Sequence, residues 1–119
     1  MNHKQIVGRY GEDLALEYLK KKGYKITDRN LKISYQEIDI IAKIKEKIVL
    51  IEVKTRVSKY DNSAEENFSR RKINNLIKAL EIYTARNKIN PENARLDLIT
   101  VDINKAKKIA KIKHYKDVF

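Results

Sequence analysis

Three ionisable side chains in two apolar segments have the residue types of a catalytic site. Asp39 lies in an Ile-rich segment at 37–44, and Glu52 and Lys54 lie in a second apolar segment at 48–54. The β-branched residues of both segments are typical of strands. Carboxylates that project from such strands can hold a divalent metal ion, and a nearby lysine can act on water or on a phosphate.

The two segments are predicted to form a β-hairpin, because only Lys45-Glu46-Lys47 separates them. A two- or four-residue turn places Asp39 directly opposite Glu52, and Glu37 opposite Lys54. Two facing carboxylates repel each other and destabilise a sheet. A hard divalent cation such as Mg²⁺ between them would offset that cost, so the pattern predicts a metal site at Asp39 and Glu52.

Lys54 projects from the same face as Glu52, because side chains alternate along a strand. There it can orient or deprotonate a water molecule, or neutralise charge on a phosphate. The set is typical of a metal-dependent phosphodiesterase. The alternative is an ordinary strand in which Glu52 and Lys54 pair in solvent, and a Glu-x-Lys spacing alone does not separate the two.

The elements that must position these residues alternate between helix and strand. Helical spacing predicts a helix over 3–22, which carries Glu12 and ends at Gly23, and 24–31 is predicted to be an edge strand. A second helix is predicted over 64–88, with a capping box formed by Ser63 and Glu66.

Two further strands are predicted over 94–103 and 107–115. The order of helix, three strands, helix and two strands predicts one domain over 1–119, with a sheet covered by helices.

The composition favours a nucleic-acid partner. The net charge is +11, with 14 basic and 8 acidic residues in 1–60 and 13 and 8 in the remainder, so the charge belongs to the folded surface and not to a tail. A generally Lys-rich proteome is the alternative. The absence of cysteine excludes disulfides and thiolate sites. No apolar run or signal-like start is present, so we expect a cytoplasmic protein with no membrane partner.

The chain resembles the YraN-like family of small bacterial proteins, within the restriction-endonuclease-like superfamily that shares the PD-(D/E)xK motif. The resemblance runs nearly end to end and rests mainly on 8–15, 37–42 and 51–56, with weaker matches at 95–98 and 114–119. Two positions depart from the pattern: Gln36 replaces a usual Gly, and Ile38 replaces the Pro before the first Asp.

This resemblance implies an α/β fold in which a mixed sheet of about five strands is flanked by helices. It implies that Asp39 and Glu52 ligate Mg²⁺ or Mn²⁺, that Lys54 is the catalytic lysine, and that Glu12 supports the metal site. Three further residues are expected to line the edge of the site: Glu37, Gln36 and Arg56.

Together these observations predict a metal-dependent endonuclease that acts on DNA, with branched or structured DNA as its substrate. The residues expected to grip phosphates are Arg9, Arg56, Lys59, Arg70, Arg71 and Lys72. The main alternative is a non-catalytic module that binds DNA or RNA, which would not need Asp39, Glu52 and Lys54 together. A purely structural basic protein is a third interpretation. The sequence leaves the oligomeric state open and is compatible with a dimer.

The charge distribution predicts salt-sensitive binding to nucleic acid without marked sequence preference. Each phosphate that a Lys or Arg neutralises contributes about −0.9 to the slope of log affinity against log salt on duplex DNA. The slope can be measured by fluorescence anisotropy over a series of salt concentrations. An affinity that stays constant as salt rises would show that the basic surface is not the binding surface.

Overall fold

The computed structural model describes residues 1–57 and 69–118. Its helices and strands, in chain order, are α1 (His3–Lys21), β1 (Lys25–Ile33), β2 (Gln36–Ile44), β3 (Lys47–Val57), α2 (Arg70–Arg86), β4 (Ala94–Asn104) and β5 (Ile109–Tyr115). A short 3₁₀ helix at Pro91–Asn93 precedes β4. Within the described ranges, no helix is both long and apolar enough to cross a lipid bilayer.

The strands form one mixed sheet in the order β1-β2-β3-β4-β5. Neighbouring strands are antiparallel except for β3 and β4, which run parallel and are joined through α2. A parallel pair needs such a crossover, because the chain must return to the end of the sheet where β3 began before β4 can start. The predicted α/β class, with a five-stranded mixed sheet flanked by helices, is confirmed.

The helices pack on opposite faces of the sheet. Helix α1 covers the face that carries Ile51 and Ile99, and α2 covers the face that carries Leu50 and Leu96. Strand β3 is buried on both faces because it lies in the middle of the sheet, which explains its continuous apolar run. The only acidic side chain in that buried run is Glu52.

The β2–β3 hairpin has the predicted register, but its ladder is short. The strands pair from Ile44 and Lys47 next to the turn as far as Ile40 and Ile51, and Lys45 in the two-residue turn has a φ of +52°. The ladder therefore ends one pair before Asp39 and Glu52 would face each other.

Helix α2 begins later than predicted. Ser69 has extended backbone dihedrals and is the N-cap, and its hydroxyl accepts a hydrogen bond from the Lys72 backbone N–H at 3.1 Å. The predicted start at 64 was therefore wrong, while the capping box at Ser63 and Glu66 falls outside the described residues. The later start makes Arg70, Arg71 and Lys72 the first turn of the helix.

A close approach at Gly11 fixes α1 against the sheet. A Cβ added at Gly11 would lie 1.8 Å from Thr55 Oγ1 and 2.7 Å from Thr55 Cβ, so no larger residue fits without movement of the helix. At Gly8, one turn earlier, an added Cβ would have no neighbouring atom within 4 Å. This contact places the first half of α1, including Glu12, over the end of β3.

Gly11→Ala and Gly8→Ala are expected to change stability in opposite directions. Overpacking at Gly11 should lower the free energy of unfolding by about 1–3 kcal/mol. Alanine exceeds glycine in helix propensity by about 0.8–1.0 kcal/mol, so Gly8→Ala should raise the free energy of unfolding. Urea unfolding of both variants measures the difference, and equal effects would contradict the close approach.

Candidate active site

The candidate site begins where β2 and β3 stop pairing. Asp39 Oδ2 accepts a hydrogen bond from the Val53 backbone N–H at 2.8 Å, so a side chain replaces the next carbonyl of the ladder. This contact holds the Asp39 carboxylate against β3, next to Glu52. Asp39 therefore lies next to Glu52, as predicted, but at a point where the backbone ladder of the two strands has ended.

Glu52 is a buried carboxylate with one partner on α2. Only 7% of its side chain is exposed, and its Oε2 lies 3.2 Å from Nζ of Lys72. Its Oε1 is buried and has no hydrogen-bond donor among the described residues. A buried oxygen without a donor costs about 1–3 kcal/mol or more, so this atom is a candidate ligand for a cation.

Burial and the neighbouring Asp39 together raise the pKa of Glu52 to about 8. Burial is the larger cause, followed by repulsion from the Asp39 charge. Lys72 opposes the shift through its charge and its hydrogen bond. Without a cation, the pair therefore retains a proton near neutral pH, as expected of two carboxyl groups held close together.

Lys54 lies two residues beyond Glu52 on the same side of β3, and it is half-buried. In the parallel ladder it pairs with Thr100 of β4, whose Oγ1 is fully buried and has no hydrogen-bond partner in the described part of the chain. The sequence analysis did not identify Thr100, because a threonine in a strand is unremarkable until its hydroxyl is found without a partner.

Glu12 approaches the Asp39–Glu52 pair from α1 and lies beside Arg29 of β1. Its carboxylate lies 3.8 Å from Arg29 Nε, and its pKa is raised to about 7, mainly by burial and then by the charge on Asp39. No three acidic or histidine side chains of residues 1–57 and 69–118 are close enough to form a metal-binding cluster. The set of Asp39, Glu52 and Glu12 stays a prediction, and Mg²⁺ typically takes one or two protein carboxylates with the remaining ligands from water and substrate.

The three residues predicted to line the edge of the site, Glu37, Gln36 and Arg56, lie in three different places. Glu37 pairs with Lys32 of β1, not with Lys54, and lines a groove with Arg9 and Glu12. Gln36 donates a hydrogen bond from Nε2 to the Glu37 carbonyl at 3.0 Å and borders a different cleft, next to α2.

Arg56 forms an ion pair with Asp102 on β4. Its predicted role as a phosphate ligand is thus in competition with an internal carboxylate.

The predicted phosphate-binding residues differ in their surroundings. Arg9, Arg70 and Arg71 are exposed, whereas Lys72 is the counter-ion of Glu52 and belongs to the candidate site. Lys59 falls outside the described residues. The role of Lys72 was missed because the contact depends on how α2 packs over β3, and no spacing in the sequence encodes that packing.

A second polar cluster is fully compensated and lies on the α1 face. Asp97 accepts hydrogen bonds from His114 Nε2 at 2.7 Å, from Arg95 Nε at 3.0 Å and from the Asp117 backbone N–H at 2.9 Å. Tyr18 and Tyr24 extend the cluster through His114 and Arg95. These contacts fasten β5 and the residues after it to β4 and α1, which indicates a structural role.

A family model described as "uncharacterised protein family UPF0102" matches residues 11–101. The chain belongs to this family. A UPF0102 protein of Caldanaerobacter subterraneus subsp. tengcongensis is 37% identical over 118 residues, which cover 98% of this chain and 97% of that protein. A UPF0102 protein of Flavobacterium psychrophilum is 41% identical over 113 residues, which cover 95% and 92%. The resemblance to the YraN-like family, inferred from the sequence motifs, is confirmed by this membership.

Two solved structures align with the UPF0102 chain at TM-scores below 0.5. A fdxN element excision controlling factor protein from Anabaena variabilis aligns with a TM-score of 0.46 and 17% identity over 88% of this chain and 97% of that one. SfsA of Pyrococcus furiosus, solved in complex with Ca²⁺, aligns with a TM-score of 0.45 and 12% identity over 95% and 63%.

The raised pKa of Glu52 predicts a pH-dependent stability in metal-free buffer. A carboxyl group whose pKa is higher in the folded state than in the unfolded state stabilises the fold at low pH, and this contribution is lost as pH rises from about 4.5 to about 8. Glu52→Gln should therefore raise the melting temperature at pH 8.5, by about 5 °C for about 1 kcal/mol, and change it little at pH 5. Differential scanning calorimetry in EDTA measures both.

Lys72→Gln is the matched control, and it should lower the melting temperature at pH 8.5 because the buried carboxylate loses its counter-charge. A Glu52→Gln variant that melts below the wild type at pH 8.5 would contradict the prediction.

Proposed function

We propose that this UPF0102 protein is a metal-dependent endonuclease that cleaves phosphodiester bonds in DNA. The observation that carries the proposal is the Asp39–Glu52 carboxylate pair, in which Glu52 is buried and its Oε1 has no donor among the described residues. A second carboxylate beside a buried one destabilises the fold, whereas an oxygen-preferring cation such as Mg²⁺ or Mn²⁺ would offset the repulsion.

Each residue of the site has a proposed role. Asp39 and Glu52 would hold the cation, and Asp39 is held in place for this by the Val53 N–H. Lys54, on the same side of β3 as Glu52, would orient the attacking water or stabilise negative charge on the phosphate. When bound, the metal would activate water as a Lewis acid and stabilise the negative charge that develops on the phosphate oxygens.

The electrostatics of the surface support a polyanionic substrate. The chain has a net charge of +11, and the exposed Arg70 and Arg71 lie in the same helical turn as Lys72, the partner of Glu52. Basic residues in the first turn of a helix oppose the helix dipole, so phosphate binding gives a reason for their position.

A structured or branched DNA fits this surface better than a specific sequence does. Helices α1 and α2 are separated by three strands, so they do not form the helix-turn-helix unit that reads bases in the major groove. Contacts to phosphates position a strand but carry no sequence information.

The ion pair between Lys72 and Glu52 favours a second candidate function, a nucleic-acid-binding module without cleavage. Lys72 already places a positive charge 3.2 Å from Oε2 of Glu52. In a pure binding module this lysine would be the permanent counter-ion of the site. In the proposed nuclease, Lys72 would share Glu52 with the cation or move towards a phosphate.

Metal-dependent cleavage and metal-dependent stability distinguish the two functions. The wild type should melt at a higher temperature in Mg²⁺ than in EDTA, and it should cut a panel of linear, flapped and four-way DNAs in Mg²⁺ or Mn²⁺. Asp39→Asn and Glu52→Gln should abolish both effects. Lys54→Ala should keep the metal-induced shift but lose cleavage by at least about 100-fold, the lower range for loss of a general acid–base group.

Glu17→Gln is the matched control, because Glu17 is an exposed carboxylate on α1 that pairs only loosely with Lys20 at 3.8 Å. It should behave as the wild type in both assays. A wild type that shows neither cleavage nor a metal-induced shift would favour the binding module.

A further inference from the structure

A cleft of about 310 Å³ lies between the β1–β2 turn and α2. Apolar side chains contributed by both elements form its floor: Ile33, Ala79 and Ile82. Basic and amide side chains surround this floor, including Arg71, Lys78 and Gln36. An apolar floor with a few polar groups at the rim is typical of a small-ligand site, and the volume is at the lower end of the range for such sites.

Tyr35 stands at the mouth of the cleft with 97% of its surface exposed. It occupies a two-residue turn with Ser34, whose φ of +57° is one that turn residues such as Gly and Asn adopt more readily. A tyrosine there buries almost no area, so it contributes little to the fold. Its ring is available for a partner with a flat aromatic face.

The positive charges at the cleft come from one side of α2. Arg71 and Lys78 are seven residues apart, which is close to two helical turns, so they lie on the same stripe of the helix. Neither forms an ion pair with any residue of 1–57 or 69–118. Their charges are therefore not neutralised by the described part of the chain.

The cleft adjoins the candidate active site through both of its walls. On α2, Arg71 immediately precedes Lys72, which contacts Glu52. On β2, Gln36 lies three residues before Asp39, which contacts β3 at Val53. A strand of nucleic acid bound in the cleft would therefore continue towards the carboxylate pair.

We propose that this cleft binds an unpaired nucleotide of single-stranded DNA, with the base stacked on Tyr35 and the adjacent phosphates bound by Arg71 and Lys78. The inference rests on the proposed function to the extent that it names the substrate class: DNA with a single-stranded segment at the site of cleavage. Bases within a duplex cover their faces by stacking on each other, whereas an unpaired base leaves a face free for an aromatic side chain. This pairing of an aromatic ring with a basic groove is typical of single-strand binding.

The test measures binding in EDTA, so that cleavage plays no part. A single-stranded oligonucleotide that carries one 2-aminopurine reports stacking by the quenching of its fluorescence. Tyr35→Ala should weaken binding by about tenfold, the range measured for loss of one stacked base, and should reduce the quenching. Tyr35→Phe should retain both. Since Tyr35 is almost fully exposed, neither variant should alter folding, which a melting curve verifies.

Matched variants separate stacking and local charge from general effects. Tyr10→Ala removes another exposed tyrosine, 51% exposed on α1 and away from the cleft, and should bind as the wild type. Arg71→Gln and Lys78→Gln should each reduce the salt slope of single-strand binding by about 0.7. Arg86→Gln, which removes the same charge at the opposite end of α2, should leave the slope unchanged.

Two results would overturn the inference: a Tyr35→Ala variant that binds the single strand as tightly as the wild type, or one that weakens fully paired duplex binding equally. The cleavage assay fails independently of this test. If the wild type does not cleave DNA but shows Tyr35-dependent quenching, single-strand binding in the cleft is supported and the nuclease function is contradicted. If the wild type cleaves DNA and neither cleavage nor binding depends on Tyr35, the nuclease function is supported and single-strand binding in the cleft is contradicted.

Discussion

The electrostatic cost of burying Glu52 beside Asp39 is the constraint around which this structure is organised. Glu52 interrupts the apolar run of the central strand, and its pKa rises because water is excluded and a second carboxylate is close. Contacts from neighbouring residues partly offset that cost. Lys72 reaches from α2 to Oε2 of Glu52, and Asp39 is held by the Val53 N–H where the β2–β3 ladder ends.

A second buried carboxylate in the same sheet shows what full compensation looks like. Burial also acts to raise the pKa of Asp97, but hydrogen bonds from His114, Arg95 and the Asp117 N–H lower it below its usual range. Its side chain is completely buried and needs no external cation. Within the described part of the chain, Glu52 on the opposite face has one partner, Lys72, and one oxygen without a donor. The contrast separates a carboxylate that fastens the fold from one that is available for chemistry.

The candidate site and the cleft also differ in the elements that build them. The carboxylates lie on strands β2 and β3, and the Val53 N–H holds Asp39 against β3. Tyr35 and Arg71 lie on a turn and on the first turn of a helix, where an approaching strand can reach them. In the proposed function, substrate binding and cleavage would therefore depend on different residues.

The sequence alone determined the order of the elements, the hairpin register and the positions of Asp39, Glu52 and Lys54, because these follow from local periodicity and a two-residue turn. It also located the family through contiguous motifs. Only the tertiary structure decided the rest. The end of the ladder at Ile40, the start of α2 at Arg70, the proximity of Glu12 to Arg29 and the contact of Lys72 with Glu52 depend on packing between elements distant in the chain. The physical reason is that periodicity specifies which face of an element is buried, but not which side chain of another element will meet it there.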